Sequence, residues 1–270
     1  MKPKHLLRII GLRPKPVKYG HSIERVELPD DGVVEFARWL CPGNDSWSVS
    51  AGELADLRRF LREGDFAIDI GAHVGDSTLP IALACGASGL VLAFEPNPAV
   101  FEVLKVTSGL NRAKTNIVPQ PYAVTDRAGT FRFQYSDRNY SNGGQFANIS
   151  IWRHGHAFPL DVEGRPLQSI VGNNYAERLS RLRYIKVDVE GGELALLRSI
   201  AGIISEWRPY LKLEVYKRTR AEQRRDLFQF ITRQGYAIQK VEEGVTLFGE
   251  QLTERDVMRW RHYDIFAIPR

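Results

Sequence analysis

Three short segments of the 270-residue chain carry residue types whose spacing suits chemistry. The first, Phe66-Ala67-Ile68-Asp69-Ile70-Gly71-Ala72-His73-Val74-Gly75, reads as a buried strand running into a small-residue turn and then a helix. Gly71 and Gly75 let the backbone approach a ligand closely, and the helix start beyond them offers unpaired N–H groups. At the carboxyl end of a strand, such a turn is a nucleotide-type pocket. The dinucleotide fingerprint G-x-G-x-x-G is not met, because His73 stands at its second glycine and Asp76 at its third, which disfavours a nicotinamide cofactor. The second segment ends the apolar run Leu90–Phe94 with Glu95-Pro96-Asn97. One carboxylate there is placed to accept both hydroxyls of a ribose. The competing reading is an acid ahead of a helix at Pro98. Its pairing with Asp69 and Gly71 favours the ribose.

The third segment is acidic. Lys186-Val187-Asp188-Val189-Glu190-Gly191-Gly192-Glu193 ends one apolar strand, and Leu211-Lys212-Leu213-Glu214-Val215-Tyr216 forms the next. Strand alternation predicts Lys186, Asp188 and Glu190 on one side of the sheet and Val187 and Val189 on the other, with the acids converging beside a switch point. Glu193, in a first helical turn, reads as an acid that complements the helix dipole.

These residues need a frame. From Phe66 the pattern predicts a strand to Ile70, a helix near Ser77–Cys85, strand Leu90–Phe94, a helix near Pro98–Leu110 and strand Asn116–Val118, which is βαβαβ. It resumes with strand Tyr184–Val189, helix Glu193–Ile200, strand Tyr210–Tyr216, helix Ala221–Gln234, strand Tyr236–Val241 and a closing strand His262–Ile268. A doubly wound α/β sheet of seven strands follows. Residues 121–170 interrupt it, predicting a hairpin and a loop-rich insertion at about 134–165. Ahead of the sheet lie a basic arm to about Gly20, short strands around the Asp30-Asp31-Gly32 turn, and a helix opened by a Ser50/Glu53 capping box with Leu54, Leu57, Phe60 and Leu61 on one face. Residues 1–45 are thus expected to be an arm with a small β extension, and 46–270 one catalytic domain.

Composition is that of an ordinary globular chain, with 43% hydrophobic and 26% charged residues. A surplus of 37 Lys+Arg over 32 Asp+Glu is too mild and dispersed for a nucleic-acid binder. The pairs Arg58-Arg59 and Arg224-Arg225 read as solvated helix faces. Cys41 and Cys85 read as free thiols, which fits a reducing, cytoplasmic setting. The histidines show no zinc spacing; only His154 and His156 lie close together. The first residues, MKPKHLLRIIGLRPKPVK, lack a signal-peptide pattern and support weak membrane-surface contact at most, and no run reaches transmembrane length.

Taken in order, Asp69-Ile-Gly-Ala-His-Val-Gly75, Phe94-Glu95-Pro96-Asn97, Ala123-Val124-Thr125-Asp126, Ile185-Lys-Val-Asp-Val-Glu-Gly191 with Glu193, and Leu213-Glu214 resemble the FkbM family of S-adenosylmethionine-dependent methyltransferases over roughly residues 46–240. Gly192 stands where the family often carries alanine. The resemblance implies a Rossmann-like, seven-stranded class I methyltransferase fold, S-adenosyl-L-methionine as donor with S-adenosylhomocysteine as product, and O-methylation, often of a sugar hydroxyl in a glycolipid, polysaccharide or secondary metabolite. The donor set it implies is Asp69, Gly71, Ala72, His73, Gly75, Ser77, Thr78, Glu95, Pro96, Asn97, Ala123 and Asp188, with the Tyr122–Asp126 turn near adenine.

A sulfonium methyl is already activated, so the protein has to align an acceptor oxygen and take its proton. Asp188 and Glu190 are the first candidates for that base, with Glu214 assisting. The same three acids are open to a second use, holding Mg²⁺; no metal is the preferred reading, since the spacing does not force a ligand set. Tyr135, Tyr140, Phe146, Trp152 and Phe158 in the insertion suit stacking on a sugar ring or fastening of a long loop, and His154 and His156 are acceptor contacts or surface residues. The partners expected are a small-molecule or glycan acceptor and, at most, a second copy of the chain. The competing functions are a nucleotide-dependent oxidoreductase and a non-catalytic glycan-binding or scaffold protein.

Overall fold

Phe66, Ile68 and Ile70 alternate with Ala67 and Asp69, and all five are buried, so this strand has a core on each face. That requires helices on both sides of a sheet, the arrangement of a doubly wound α/β fold. A computed structural model describes residues 17–42, 49–135, 143–144, 158–242 and 244–270. The described elements are β1 (His21–Leu28), β2 (Gly32–Trp39), α1 (Ala51–Leu57), β3 (Phe66–Ile70), α2 (Thr78–Cys85), β4 (Leu90–Phe94), α3 (Pro98–Gly109), β5 (Ile117–Gln120), β6 (Ala123–Val124), β7 (Gly129–Tyr135), β8 (Gly143–Gly144), β9 (Phe158–Arg165), α4 (Leu167–Asn174), β10 (Leu182–Val187), α5 (Glu193–Ser199), α6 (Ala201–Trp207), β11 (Tyr210–Val215), α7 (Ala221–Arg233), β12 (Tyr236–Lys240), β13 (Gln251–Leu252) and β14 (Tyr263–Pro269).

The main sheet runs β13-β12-β14-β11-β10-β3-β4-β5. β10, β3, β4 and β5 pair in parallel, β11 joins β10 in parallel, and β14 lies antiparallel to both β11 and β12. The seven expected strands are all present, and the short β13 makes an eighth. One face packs Phe66, Ile68, Ile70, Leu92 and Phe94 under α5, α6 and α7 through Leu196, Leu197, Ile203, Ile204, Leu227, Phe228 and Ile231. The other packs Ala67, Val91 and Ala93 under α2 and α3 through Leu79, Ile81, Leu83, Val100, Val103 and Leu104. Chain order reverses between β3 and β10, so their carboxyl ends open a crevice at the switch point.

The β1–β2 hairpin pairs from His21↔Trp39 to Leu28↔Gly32 and buries Val34, Phe36 and Trp39 in the second of these cores. Asn111 fastens β2, accepting from the Glu35 N–H at 2.9 Å and donating to the Glu35 carbonyl at 2.7 Å. At α1 only half of the expected capping box forms: the Ser50 hydroxyl accepts from the Glu53 N–H at 3.3 Å.

The expected loop-rich insertion differs most from the prediction. Its far flank is a strand, β9, antiparallel to β7 from Gly129↔Gly164 to Tyr135↔Phe158, and β6-β9-β7-β8 form a second sheet. The alternating Phe158, Leu160 and Val162 carry that signal, with Asp161 and Glu163 on the other face. Tyr140, Phe146, Trp152, His154 and His156 lie outside the described residues. Arg224 also departs from expectation. It is 2% exposed rather than solvated, and its guanidinium donates to five backbone carbonyls, those of Tyr216, Thr219, Val257, Trp260 and Arg261. Among the described residues no helix is long and apolar enough to cross a membrane.

Candidate active site

The turn after β3 is built on glycine. Gly71 has φ +84°, and a Cβ placed there would overlap the Asp188 carbonyl oxygen and come within 3.0 Å of its carbonyl carbon. The two backbones approach because the Asp188 N–H donates to the Ile70 carbonyl at 2.9 Å, while the Gly71 and Ala72 N–H groups share the Phe94 carbonyl at 3.0 and 2.9 Å. Gly75, at φ +93°, slides beneath α3, where a Cβ would press on Thr107 and Leu104. Asp69 is fully buried; one carboxylate oxygen accepts from the Ser77 and Thr78 hydroxyls at 2.8 and 2.7 Å, tying the strand to the start of α2.

Glu95 directly follows β4, its carboxylate held by two backbone N–H groups, from His73 at 3.1 Å and Asn97 at 2.8 Å. It is not the cap of the following helix. That role falls to Asn97, whose side chain accepts from the Ala99 N–H at 3.1 Å, with Pro98 in the first turn. Burial pushes the Glu95 carboxyl up to about 7, against the two N–H bonds that pull it down. His73, at φ +48°, packs its ring edge-on to Trp39 with centroids 5.6 Å apart, so the β1–β2 hairpin supports this turn. Burial lowers the pKa of its imidazole, against the pull of Asp76 and Asp188.

β10 stops at Val187, so the predicted alternation ends before Glu190. Glu190 and Gly191 have φ +57° and +104°, and this sharp turn sets where Glu190 goes. Lys186 and Asp188 do lie together, 3.4 Å apart. Glu193 does more than complement a helix dipole: its carboxylate accepts from the Val189 and Gly191 N–H groups at 3.3 and 2.9 Å and so shapes the turn. Burial raises it to about 7. Glu190 is also raised, by burial and then by Asp188, while the Tyr216 hydroxyl donates to it and opposes the rise. Glu214, on β11, is pushed up to about 9 by burial and by Asp188, Glu190 and Glu193, and one of its oxygens lies 3.3 Å from His262 Nε2.

Gly71, Glu95, Pro96, Ala123, Asp188 and Glu190 line one cleft of about 550 Å³. Tyr122, Thr125 and Asp126 share its wall, as do Phe131, Phe133 and Tyr135 of β7, and Tyr216, Arg218, Thr219 and Gln223. Asp69, Ala72, His73, Gly75, Ser77, Thr78 and Asn97 are not among the residues lining the cleft. Glu214 lines an adjoining recess of about 160 Å³ that shares Gly191, Ala195, Thr219 and Gln223 with it. Of the β7 face the sequence singled out only Tyr135, and it left the 216–223 loop unplaced, although the alternation of Phe131, Phe133 and Tyr135 marks one face of a strand. Among the described residues no three His, Cys, Asp or Glu side chains form a group that could hold a metal ion.

A central order β5-β4-β3-β10-β11-β14-β12 with one antiparallel strand, a glycine turn at the switch point and an acid at the end of the adjacent strand defines the Rossmann-like class I methyltransferase architecture. A family model described as the methyltransferase FkbM domain matches residues 69–238, and the chain belongs to that family. It is 27% identical over 159 residues to hexuronic acid methyltransferase AglP of Haloferax volcanii, covering 57% of this chain and 58% of the relative. It is also 27% identical over 161 residues to methyltransferase sdnD of Sordaria araneosa, covering 52% of this chain and 62% of the relative. The matches thus span less than two thirds of either relative. A solved FkbM methyltransferase from Methylobacillus flagellatus superposes with a TM-score of 0.47 at 17% identity, covering 80% of this chain and 51% of that one.

Proposed function

We propose that this chain is an S-adenosylmethionine-dependent O-methyltransferase acting on a sugar hydroxyl of a glycolipid, polysaccharide or secondary metabolite. The observation that carries the reading is the meeting of Gly71, Glu95 and Asp188 on one cleft at the switch point. Each Glu95 oxygen already accepts one N–H, which leaves each a lone pair for a ribose hydroxyl. Gly71 lets the β3 turn close against the Asp188 backbone, which brings Asp188 to the same cleft as Glu95. When bound, S-adenosylmethionine supplies a methyl group already activated by its sulfonium.

The chain's own work is alignment and proton transfer. Asp188 sits beside Lys186 at the donor turn and suits the methionine end of the donor. Glu190 has an oxygen with no hydrogen-bond partner, and its raised pKa brings it closer to neutral pH, so it is the better general base of the two. Glu214 assists from the recess. The aromatic residues of β7 suit the apolar face of a sugar ring and keep water from the reacting centre. The sugar assignment draws support from the hexuronic acid methyltransferase among the relatives. The oxidoreductase and the non-catalytic scaffold find none, since both relatives bear methyltransferase names. Mg²⁺ has no part in the proposal. A reducing, cytoplasmic setting belongs to it, on the ground that Cys41 and Cys85 are buried free thiols.

The test is transfer of labelled methyl from S-adenosylmethionine to a panel of hexoses, hexuronates and their glycosides. Glu190→Gln is expected to lower kcat by about 10²–10⁴ without a comparable loss of S-adenosylhomocysteine affinity. Transfer to a different acceptor class, with none to any saccharide, would refute the sugar assignment.

A further inference from the structure

Lys186 has no part in the chemistry above, yet it sits at the centre of the donor turn. Its side chain is 9% exposed, and its ammonium lies 3.5 Å from Asp69, 3.4 Å from Asp188 and 3.4 Å from the Gly71 carbonyl oxygen. An ammonium has three protons, and here it meets three oxygens from β3, from the turn that follows it and from the turn after β10. The Asp69 oxygen nearest to it has no hydrogen-bond partner, since the other oxygen takes both hydroxyls of Ser77 and Thr78. The Asp188 side chain is 44% exposed to the cleft.

We propose that Lys186 is a positioning residue of the donor site, fixing the Asp188 carboxylate and the Gly71 carbonyl before the donor arrives. This rests on the donor reading given above. Burial lowers the lysine's pKa, but Asp69, Asp188 and Asp76 more than offset that and hold it above the ordinary lysine value. The ionisable groups facing Asp188 are therefore mixed: Lys186 attracts it, while the acids Asp69, Asp76, Glu190, Glu193 and Glu214 lie around the same turn. A carboxylate in such company needs a fixed cation to hold one direction. A preset carboxylate spares the ordering entropy that binding would otherwise have to supply.

Lys186 also neutralises Asp69, so a simple deletion confuses support with function. Calorimetry with S-adenosylhomocysteine, uncharged overall, separates them in the Asp69→Asn background, where the buried negative charge is already gone. There Lys186→Met is expected to leave Tm close to that of Asp69→Asn while weakening S-adenosylhomocysteine about tenfold. In an Asp69→Asn/Asp188→Asn background the same change is expected to weaken it less than about threefold, because the side chain it directs is no longer a carboxylate. Equal affinity of Asp69→Asn and Asp69→Asn/Lys186→Met, or the same tenfold loss whether or not Asp188 is present, would make Lys186 a counter-ion and overturn the proposal. Failure of the unaltered protein to bind S-adenosylhomocysteine would instead reject the donor reading, and the Lys186 proposal with it.

Discussion

Gly71→Ala offers the most direct perturbation of the cleft. The position has φ +84°, where an L-residue costs about 1–2 kcal/mol. The added methyl would also lie on the Asp188 carbonyl, a backbone atom that cannot swing aside while the Asp188 N–H stays bonded to Ile70 at 2.9 Å. Forcing a methyl into such a place costs a further 1–3 kcal/mol or so. A total of about 3 kcal/mol corresponds to a Tm lowered by about 6–12 °C in a domain of this size. Relief requires β3 and β10 to part at the switch point, so donor affinity falls as well, by about tenfold or more. The control is Gly202→Ala in α6, where a Cβ meets nothing within 4 Å, and helix propensity predicts a gain of about 1 kcal/mol. Thermal melts of both variants, with and without S-adenosylhomocysteine, provide the assay. A Gly71→Ala protein that melts within about 2 °C of the parent and binds as tightly would refute the close-approach argument.

Glu95 sets a pH dependence. Its pKa is raised from 4.5 to about 7, so the folded state favours the protonated form; the stability associated with that form is full below about 4.5 and is lost as pH rises through about 7. Donor affinity runs the other way, since ribose hydroxyls donate to the ionised carboxylate: it is highest above about 7 and falls below it, and calorimetry from pH 5.5 to 8.5 is the check. A flat profile, or tighter binding in acid, would exclude Glu95 as the ribose ligand. Arg224→Met strands five carbonyls, those of Tyr216 and Thr219 on the loop that walls the cleft and those of Val257, Trp260 and Arg261 behind it, and is expected to cost about 3 kcal/mol or more, read as a shift in urea midpoint. A midpoint near that of the parent would show that those loops stand without the arginine.

The donor turn was legible because its signals are local. Apolar strands that stop at Gly71 and Glu95 place those residues at a sheet's carboxyl edge whatever the strand order. Glu190 was not placed by alternation, because two consecutive positive φ values at Glu190 and Gly191 end the strand geometry; the Gly191-Gly192 pair was the available warning. Arg224 was misread through its residue type. It lies in the stripe Arg224, Leu227, Phe228, Ile231, spaced i, i+3, i+4, i+7, all of it buried. Period outranked polarity there, because five carbonyls replace water. Alternation marks the β7 aromatics as one strand face, but their place over the cleft depends on pairing with β9 across 22 intervening residues, which no local pattern encodes.

The central claim is that the cleft binds a sulfonium donor rather than a nicotinamide. Calorimetric titration of the purified protein with S-adenosylmethionine and, separately, with NAD⁺, each with and without Mg²⁺, tests it most directly. The account predicts saturable binding of S-adenosylmethionine alone, indifferent to Mg²⁺. Preference for NAD⁺, or binding of neither, would contradict it.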